Sequence, residues 1–230
     1  MKKHIDTPRG RYTYTFRPLF LGIKPIDKTI AKENLLLIKH ILDTHRLLFL
    51  LSFGTLLGAV REKDFITHDE DCDLIMMKKD MDTFLGLLFQ FREEGFEVVR
   101  YESRGFLSIM RKGEYTDFYF YQDYPEDNRY MYCCRDLYFK DELLQPSEIK
   151  FLETTFLAPR QPERYLRFNY GENWQQPVAS VNFHQSRVSL LKNYVAQYAK
   201  AILPESLVRH MQESSDRKFI DKWVQKANHF

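Results

Sequence analysis

Residues 52–74 read SFGTLLGAVREKDFITHDEDCDL, and the two ends of this stretch decide the fold. At its far end, Asp71 and Asp73 flank Cys72 and lead into the apolar run Leu74–Met77. Alternate residues of a strand point to one face, so Asp71 and Asp73 are expected side by side. Two neighbouring carboxylates repel unless a cation sits between them. Mg2+ held by one or two carboxylates and by phosphate oxygens is the common solution. Asp73 lies inside an otherwise apolar strand, where an unpaired charge is costly. At the near end, Gly54 and Thr55 precede a short helix over 55–61, and a helix start carrying a glycine and a hydroxyl suits phosphate. Strand, Gly-Thr, short helix, then a strand bearing Asp-x-Asp is the layout of a nucleotidyltransferase-like site.

Working outward, Leu47–Phe53 reads as a buried strand ended by Gly54, and Thr29–His45 as an amphipathic helix. Asp80–Glu94 reads as one helix closed by Gly95. Four aromatic-rich runs follow, 96–101, 106–111, 115–121 and 129–139, and each reads as a strand. Within the third, Asp117 is a lone charge among aromatics, which makes it the candidate third carboxylate of a metal site and a possible general base. Residues 1–28, with three prolines, read as an irregular arm; 29–180 as the catalytic core; and 181–230 as a helical region interrupted at Pro204. The fold class is therefore α/β (α+β): a mixed sheet flanked by helices, with a C-terminal helical region packed beside it.

Composition narrows the function. The chain has 230 residues, a net charge of +2 and 44% hydrophobic residues, ordinary for a globular protein and giving no sign of a nucleic-acid partner. Nineteen Phe and fourteen Tyr point to a large aromatic core, with some rings available to line a ligand site. The three cysteines, Cys72 and the adjacent Cys133 and Cys134, do not form a disulfide framework and read as reduced thiols of a cytoplasmic protein. No signal peptide or membrane-spanning run is visible, and the basic, aromatic N-terminal arm is the one feature suggesting peripheral membrane contact.

Phe53-Gly-Thr-Leu-Leu-Gly-Ala-Val-Arg61, Phe65-Ile66 and Asp69-Glu-Asp-Cys-Asp-Leu74 together resemble the core signature of the LicD family. That family includes bacterial phosphocholine transferases and the fukutin-related proteins. Downstream, Pro162, Tyr165-Leu166, Tyr170-Gly171-Glu-Asn-Trp174 and Pro177 resemble its closing motif. The resemblance implies transfer of a phospho-alcohol, such as phosphocholine, from a CDP-linked donor to a hydroxyl of a cell-surface glycan, as in lipopolysaccharide or capsule synthesis. It also implies that Asp71 and Asp73, with Asp117, bind Mg2+ (or Mn2+), and that Gly54 and Thr55 face donor phosphates. The acceptor would be met at the inner face of the membrane.

Several residues keep two readings. Arg61 either neutralises phosphate charge or is a structural partner. Tyr170 and Trp174 either offer aromatic faces to a quaternary ammonium or form a packing motif in which Gly171 ends a helix. Asp69 and Glu70 are supports or surface groups. His68, Glu70, Cys72 and Lys63-Asp64 depart from the family's usual residues and leave the identity of the transferred alcohol open. Two other functions use the same sequence: a nucleotidyltransferase moving NMP from an NTP to a small molecule, and an inactive binding or scaffold protein.

Overall fold

The computed structural model describes residues 1–18, 25–177 and 187–230. Leu19 and Phe20 of the arm, and the start of the helical stretch at Val181, lie outside the described residues.

The arm is not irregular. It forms a hairpin of β1 (Lys2–Thr7) and β2 (Gly10–Thr15), with Pro8 and Arg9 in the turn. The period-two pattern of Tyr12 and Tyr14, both buried, explains this; the prolines mark the turn and the exit, not disorder. Arg92 clamps the hairpin to the body: its guanidinium lies 3.8 Å from the Tyr12 ring centre and donates to the Thr13 carbonyl and to Glu97.

Helix α1 (Lys28–Thr44) is capped by the Asp27 carboxylate, which accepts from the Thr29 and Ile30 amides. It buries Leu35, Ile38, Ile41 and Leu42. Strand β3 is only Leu50–Leu51, because Phe53 takes φ 40° and turns the chain into α2 (Phe53–Arg61). The Asp-bearing strand is β4 (Cys72–Met77), buried along its whole length. The helix expected over 80–94 is two pieces, α3 (Met81–Gly86) and α4 (Leu88–Glu93), entered through a 3-10 turn at Lys78–Asp80. Gly86, a poor helix former, lies at the break, and Gly95 closes the second piece at φ 87°. Strands β5 (Glu97–Glu102), β6 (Phe106–Arg111) and β7 (Glu114–Asp123) follow.

The run 129–139 is split into β8 (Tyr130–Cys133) and β9 (Asp136–Phe139), since Cys134 adopts φ 56° and reverses the chain. Then come α5 (Lys140–Leu144), β10 (Ser147–Phe151), β11 (Thr154–Ala158) and α6 (Pro162–Tyr170). The last two helices are α7 (Arg187–Ile202) and α8 (Glu205–Asn228), parted at Pro204.

Among the described residues the main sheet runs β10-β11-β3-β4-β7-β6-β5, with β8 and β9 continuing from the end of β7. The central pair β4–β7 is parallel and its two neighbours are antiparallel, so the sheet is mixed. On one face, Phe84 of α3 meets Phe118 and Phe120 of β7 at 4.6 and 5.3 Å and Phe91 of α4 at 5.4 Å. Asp117, Tyr119 and Tyr121 occupy the other face of β7. Helix α8 is held there by Asp216, which pairs with Arg104 and Arg135, and by Trp223 against Phe168 at 5.2 Å.

The Phe cluster is the backing that keeps β7 rigid behind its charged face. Phe84→Ala is expected to destabilise the fold by about 3–5 kcal/mol through lost burial and a residual cavity. Urea denaturation would measure it, and a loss below about 1 kcal/mol would contradict this role.

Candidate active site

Strand register creates the site. Asp73 of β4 stands opposite Asp117 of β7, and both are buried. Asp71 lies just before β4 and remains partly exposed. One carboxylate oxygen from each of Asp71, Asp73 and Asp117 falls within 4.8 Å of the others, a spacing that could hold a metal ion. Oδ1 of Asp117 is buried and accepts no hydrogen bond, which suits a cation as its partner.

The electrostatics show the strain of assembling this cluster. Burial first, then the neighbouring carboxylates, push Asp71 and Asp73 well above the usual range. Burial lifts Asp117 to about 6, against the lowering effects of Ser108 and Arg100. Two neighbours act against that rise at Asp73: the Gly54 amide of α2 and the Tyr119 hydroxyl both lower its pKa. The first turn of α2 therefore faces a protein carboxylate, as the positive end of a helix favours.

Gly54 is required by close approach. A Cβ there would lie 2.2 Å from Oδ2 of Asp69. Asp69 packs against that turn, accepts from the Glu70 amide and is lifted by burial to about 6. Of its two readings, Asp69 takes the supporting one. Thr55 is buried, and its hydroxyl accepts from the Asp73 amide at 2.8 Å, which fixes where β4 begins. Arg61 donates to the Trp174 carbonyl oxygen at 3.3 Å and pairs with Glu62 at 2.7 Å, tying the closing motif to the end of α2. Trp174 is buried, and Gly171 ends α6 at φ 87°, so the packing reading describes Trp174.

Tyr170 differs from Trp174: it is 45% exposed. Burial of its hydroxyl, together with Asp73, Asp69 and Asp71, raises its pKa. It is an aromatic wall beside the carboxylates. Sequence reasoning passed over Ser108, Tyr115, Tyr119 and Arg100. Alternation along 115–121 could have found the tyrosines, because 115, 117, 119 and 121 share one face. Cys72, between the acids, is buried on the opposite face.

Because these carboxylates hold protons more tightly folded than unfolded, protonation stabilises the metal-free fold at low pH. That contribution is full below about pH 4 and is lost as pH rises through about 6, the value for Asp69 and Asp117. In chelator, the melting temperature is expected to fall between pH 5 and 7.5, and less steeply in Asp117→Asn. Mg2+ should raise it at pH 7.5 in the parent protein but not in Asp73→Asn. Parallel melting curves for parent and Asp117→Asn across this range would contradict the reading.

Residues 46–193 match the family described as "LicD/FKTN/FKRP, nucleotidyltransferase domain". An "Uncharacterized protein RT0683" of Rickettsia typhi is 27% identical over 212 residues, 86% of this chain and 65% of that protein. An "Uncharacterized protein RP689" of Rickettsia prowazekii is 30% identical over 196 residues, 79% of this chain and 71% of that protein. The chain thus spans about two thirds of the length of these relatives. Among solved structures, lincosamide antibiotic adenylyltransferase LnuA, lincomycin-bound, aligns at TM-score 0.46 and 10% identity over 74% of this chain and 97% of its own. The solution structure of antibiotic-resistance factor ANT(2'')-Ia aligns at TM-score 0.48 and 12% identity over 88% of this chain and 100% of its own. Among the described residues, no helix is long and apolar enough to cross a membrane. By the match over 46–193, well over half its length, the chain belongs to the LicD/FKTN/FKRP family and carries that family's nucleotidyltransferase domain.

Proposed function

We propose that the protein is a metal-dependent transferase that moves a phospho-alcohol, phosphocholine-like, from a CDP-linked donor to a hydroxyl of a cell-surface glycan. The observation that carries the reading is the convergence of Asp71, Asp73 and Asp117 within 4.8 Å in a member of this family. Bound there, a divalent cation such as Mg2+ or Mn2+ would supply neutralising charge to the donor's phosphates.

The chain's own residues define the rest. Asp71 and Asp73 would hold that cation where its charge would meet the donor's diphosphate. The Gly54 amide and Tyr119 hydroxyl favour the charged form of Asp73, and Thr55 fixes the start of its strand. Tyr170 is the aromatic face for the alcohol's cationic head, since a quaternary ammonium is attracted to a ring face. The acceptor hydroxyl oxygen attacks the phosphorus distal to the nucleoside. A new P–O bond forms there as the P–O bond to CMP breaks. Asp117, register partner of Asp73 on the neighbouring strand, takes the hydroxyl proton. Such chemistry rests on positioning and charge and needs no covalent protein intermediate. On this reading the protein works in the cytoplasm, at the inner face of the membrane where glycan acceptors are presented. The N-terminal rings Tyr12 and Tyr14 are buried in the body, so they are not the membrane contact.

The family description favours one alternative, nucleotidyl transfer from an NTP, which would use the same three carboxylates. The product separates the two: CMP from a CDP-alcohol, or pyrophosphate from an NTP.

Incubation with Mg2+ and a panel of CDP-alcohols is expected to release CMP, with no release in chelator. Asp71→Asn and Asp73→Asn should each lower turnover at least 1,000-fold with the fold intact, roughly the weight of a lost transition-state charge contact. Asp117→Asn should depress kcat by about 100-fold or more with little change in KM. Cys72→Ser should retain activity. CMP release that persists without divalent metal, or an enzyme carrying a phosphoryl or nucleotidyl adduct by intact mass, would contradict the mechanism.

A further inference from the structure

The pairing of β5 with β6 contains one irregularity. Val98 pairs with Ile109, but the next partner of Ser108 is Arg100, so Val99 is an extra residue, a β-bulge. Regular pairing would set Arg100 opposite Leu107, a fully buried residue of the other face. The bulge instead moves Arg100 into register with Ser108, which is itself opposite Asp117, opposite Asp73. Four neighbouring strands thus carry one row on one face: Asp73, Asp117, Ser108, Arg100. The row is acidic at one end and cationic at the other.

Several contacts fix the Arg100 side chain in that row. Its guanidinium lies 4.3 Å from the Phe106 ring centre, and Phe106 packs at 4.9 Å on Tyr119, whose hydroxyl lowers the pKa of Asp73. Its Nε and Nη2 reach Glu102 at 2.9 and 2.6 Å. The Val99 carbonyl at the bulge accepts from the Arg17 amide at 3.1 Å, so the N-terminal segment holds the bulge in place. Two strand spacings separate the Cα atoms of Arg100 and Asp117, about 10 Å, which an arginine side chain largely spans. The Arg100 charge is felt at Asp117, whose pKa it lowers.

Arg100 also lines a cavity of about 540 Å³ between β5, the N-terminal hairpin and helices α7 and α8. Its charged wall holds Lys3, Arg100, Arg104, Arg135, Lys200 and Arg209 against Glu102 alone. Arg104 and Arg135 are engaged by Asp216 and secure α8. Arg100 is the cation of this wall that shares the carboxylate row.

We infer that Arg100, set by the Val99 bulge, is a phosphate-binding residue of the reaction centre, and that the cavity behind it seats the anionic, diphosphate-bearing end of a substrate. A guanidinium fork suits phosphate oxygens, and one end of a diphosphate would lie against the carboxylate-held cation while the other meets Arg100. This places the cationic role at Arg100 and leaves Arg61 as the structural tie described above. The inference rests on the metal-dependent phosphate reading but not on which donor is used.

The test is calorimetric titration of the full chain, with Mg2+ present, by inorganic pyrophosphate. Arg100→Gln is expected to weaken pyrophosphate at least tenfold while leaving the melting-temperature rise caused by Mg2+ alone unchanged. Arg100→Lys keeps the charge and the Glu102 partner but loses the fork, and should weaken it several-fold; this variant decides if Arg100→Gln does not fold. Unchanged pyrophosphate affinity in the folded variants, or no binding by the parent protein, overturns the inference. Pyrophosphate binding that depends on Arg100, found without CMP release from CDP-alcohols, supports the inference and removes only the donor assignment. CMP release with parent-like kcat and KM in Arg100→Gln removes the inference and leaves the proposed reaction standing.

Discussion

Asp73 and Asp117 are register partners on two adjacent parallel strands, with Asp71 within ligand distance of both. Like charges this close, with two of the three buried, raise the free energy of the folded chain until something neutralises them. The surroundings of the cluster follow from that constraint. A helix start, a tyrosine hydroxyl and a serine face the acids on one side of β4 and β7. A wall of phenylalanines from α3 and α4 supports β7 from the other. The apolar side fixes the strands against each other, so the charged side has little freedom to relieve its repulsion by moving apart.

The small residues around α2 serve the same constraint. Gly54 lets the Asp69 carboxylate approach the first turn. At Gly58, a Cβ would lie 2.5 Å from the Asp64 carbonyl oxygen, so this glycine lets the 62–66 loop fold back against the helix. Thr55 connects the helix to the backbone of Asp73. Gly54, Gly58 and Thr55 of the Phe53–Arg61 stretch thus set α2 against β4 and the loop between them. Arg61 extends the same logic outward by joining α2 to the Trp174 turn.

The parts legible in the sequence were those in which local pattern and tertiary role agree. The acid pair, the lone Asp117 and the helix over 28–44 announce themselves by charge within apolar runs or by helical spacing. The hairpin over residues 2–15 was hidden because Pro8 and Pro18 drew attention from the alternation of Tyr12 and Tyr14. The split of 129–139 depends on Cys134 taking a positive φ, which no glycine or asparagine signals. Strands β10 and β11 alternate in burial on a sheet edge, and Ser147–Phe151 carries too few apolar residues to stand out. The internal bonds of Thr55 to the Asp73 amide and of Arg61 to the Trp174 carbonyl were not legible, because each joins segments far apart in the chain.

Arg100 illustrates a different limit. In VVRYE, period two assigns Val98 and Arg100 to one face and Val99 to the other. The bulge breaks that parity: Val99 packs with Tyr115 and Met110, and Arg100 follows it to the charged face. Whether a strand bulges depends on how its neighbour is registered and on what captures the freed carbonyl, here the Arg17 amide 82 positions away in the chain. A one-residue shift is energetically small, yet it reverses the face of every side chain beyond it. The acidic end of the row is written in its two aspartates, Asp73 and Asp117, whereas Arg100 joins it only through the bulge at Val99, whose carbonyl the N-terminal segment engages. The Arg17–Val99 contact thus joins a segment outside the 46–193 family match to the strand that carries Arg100.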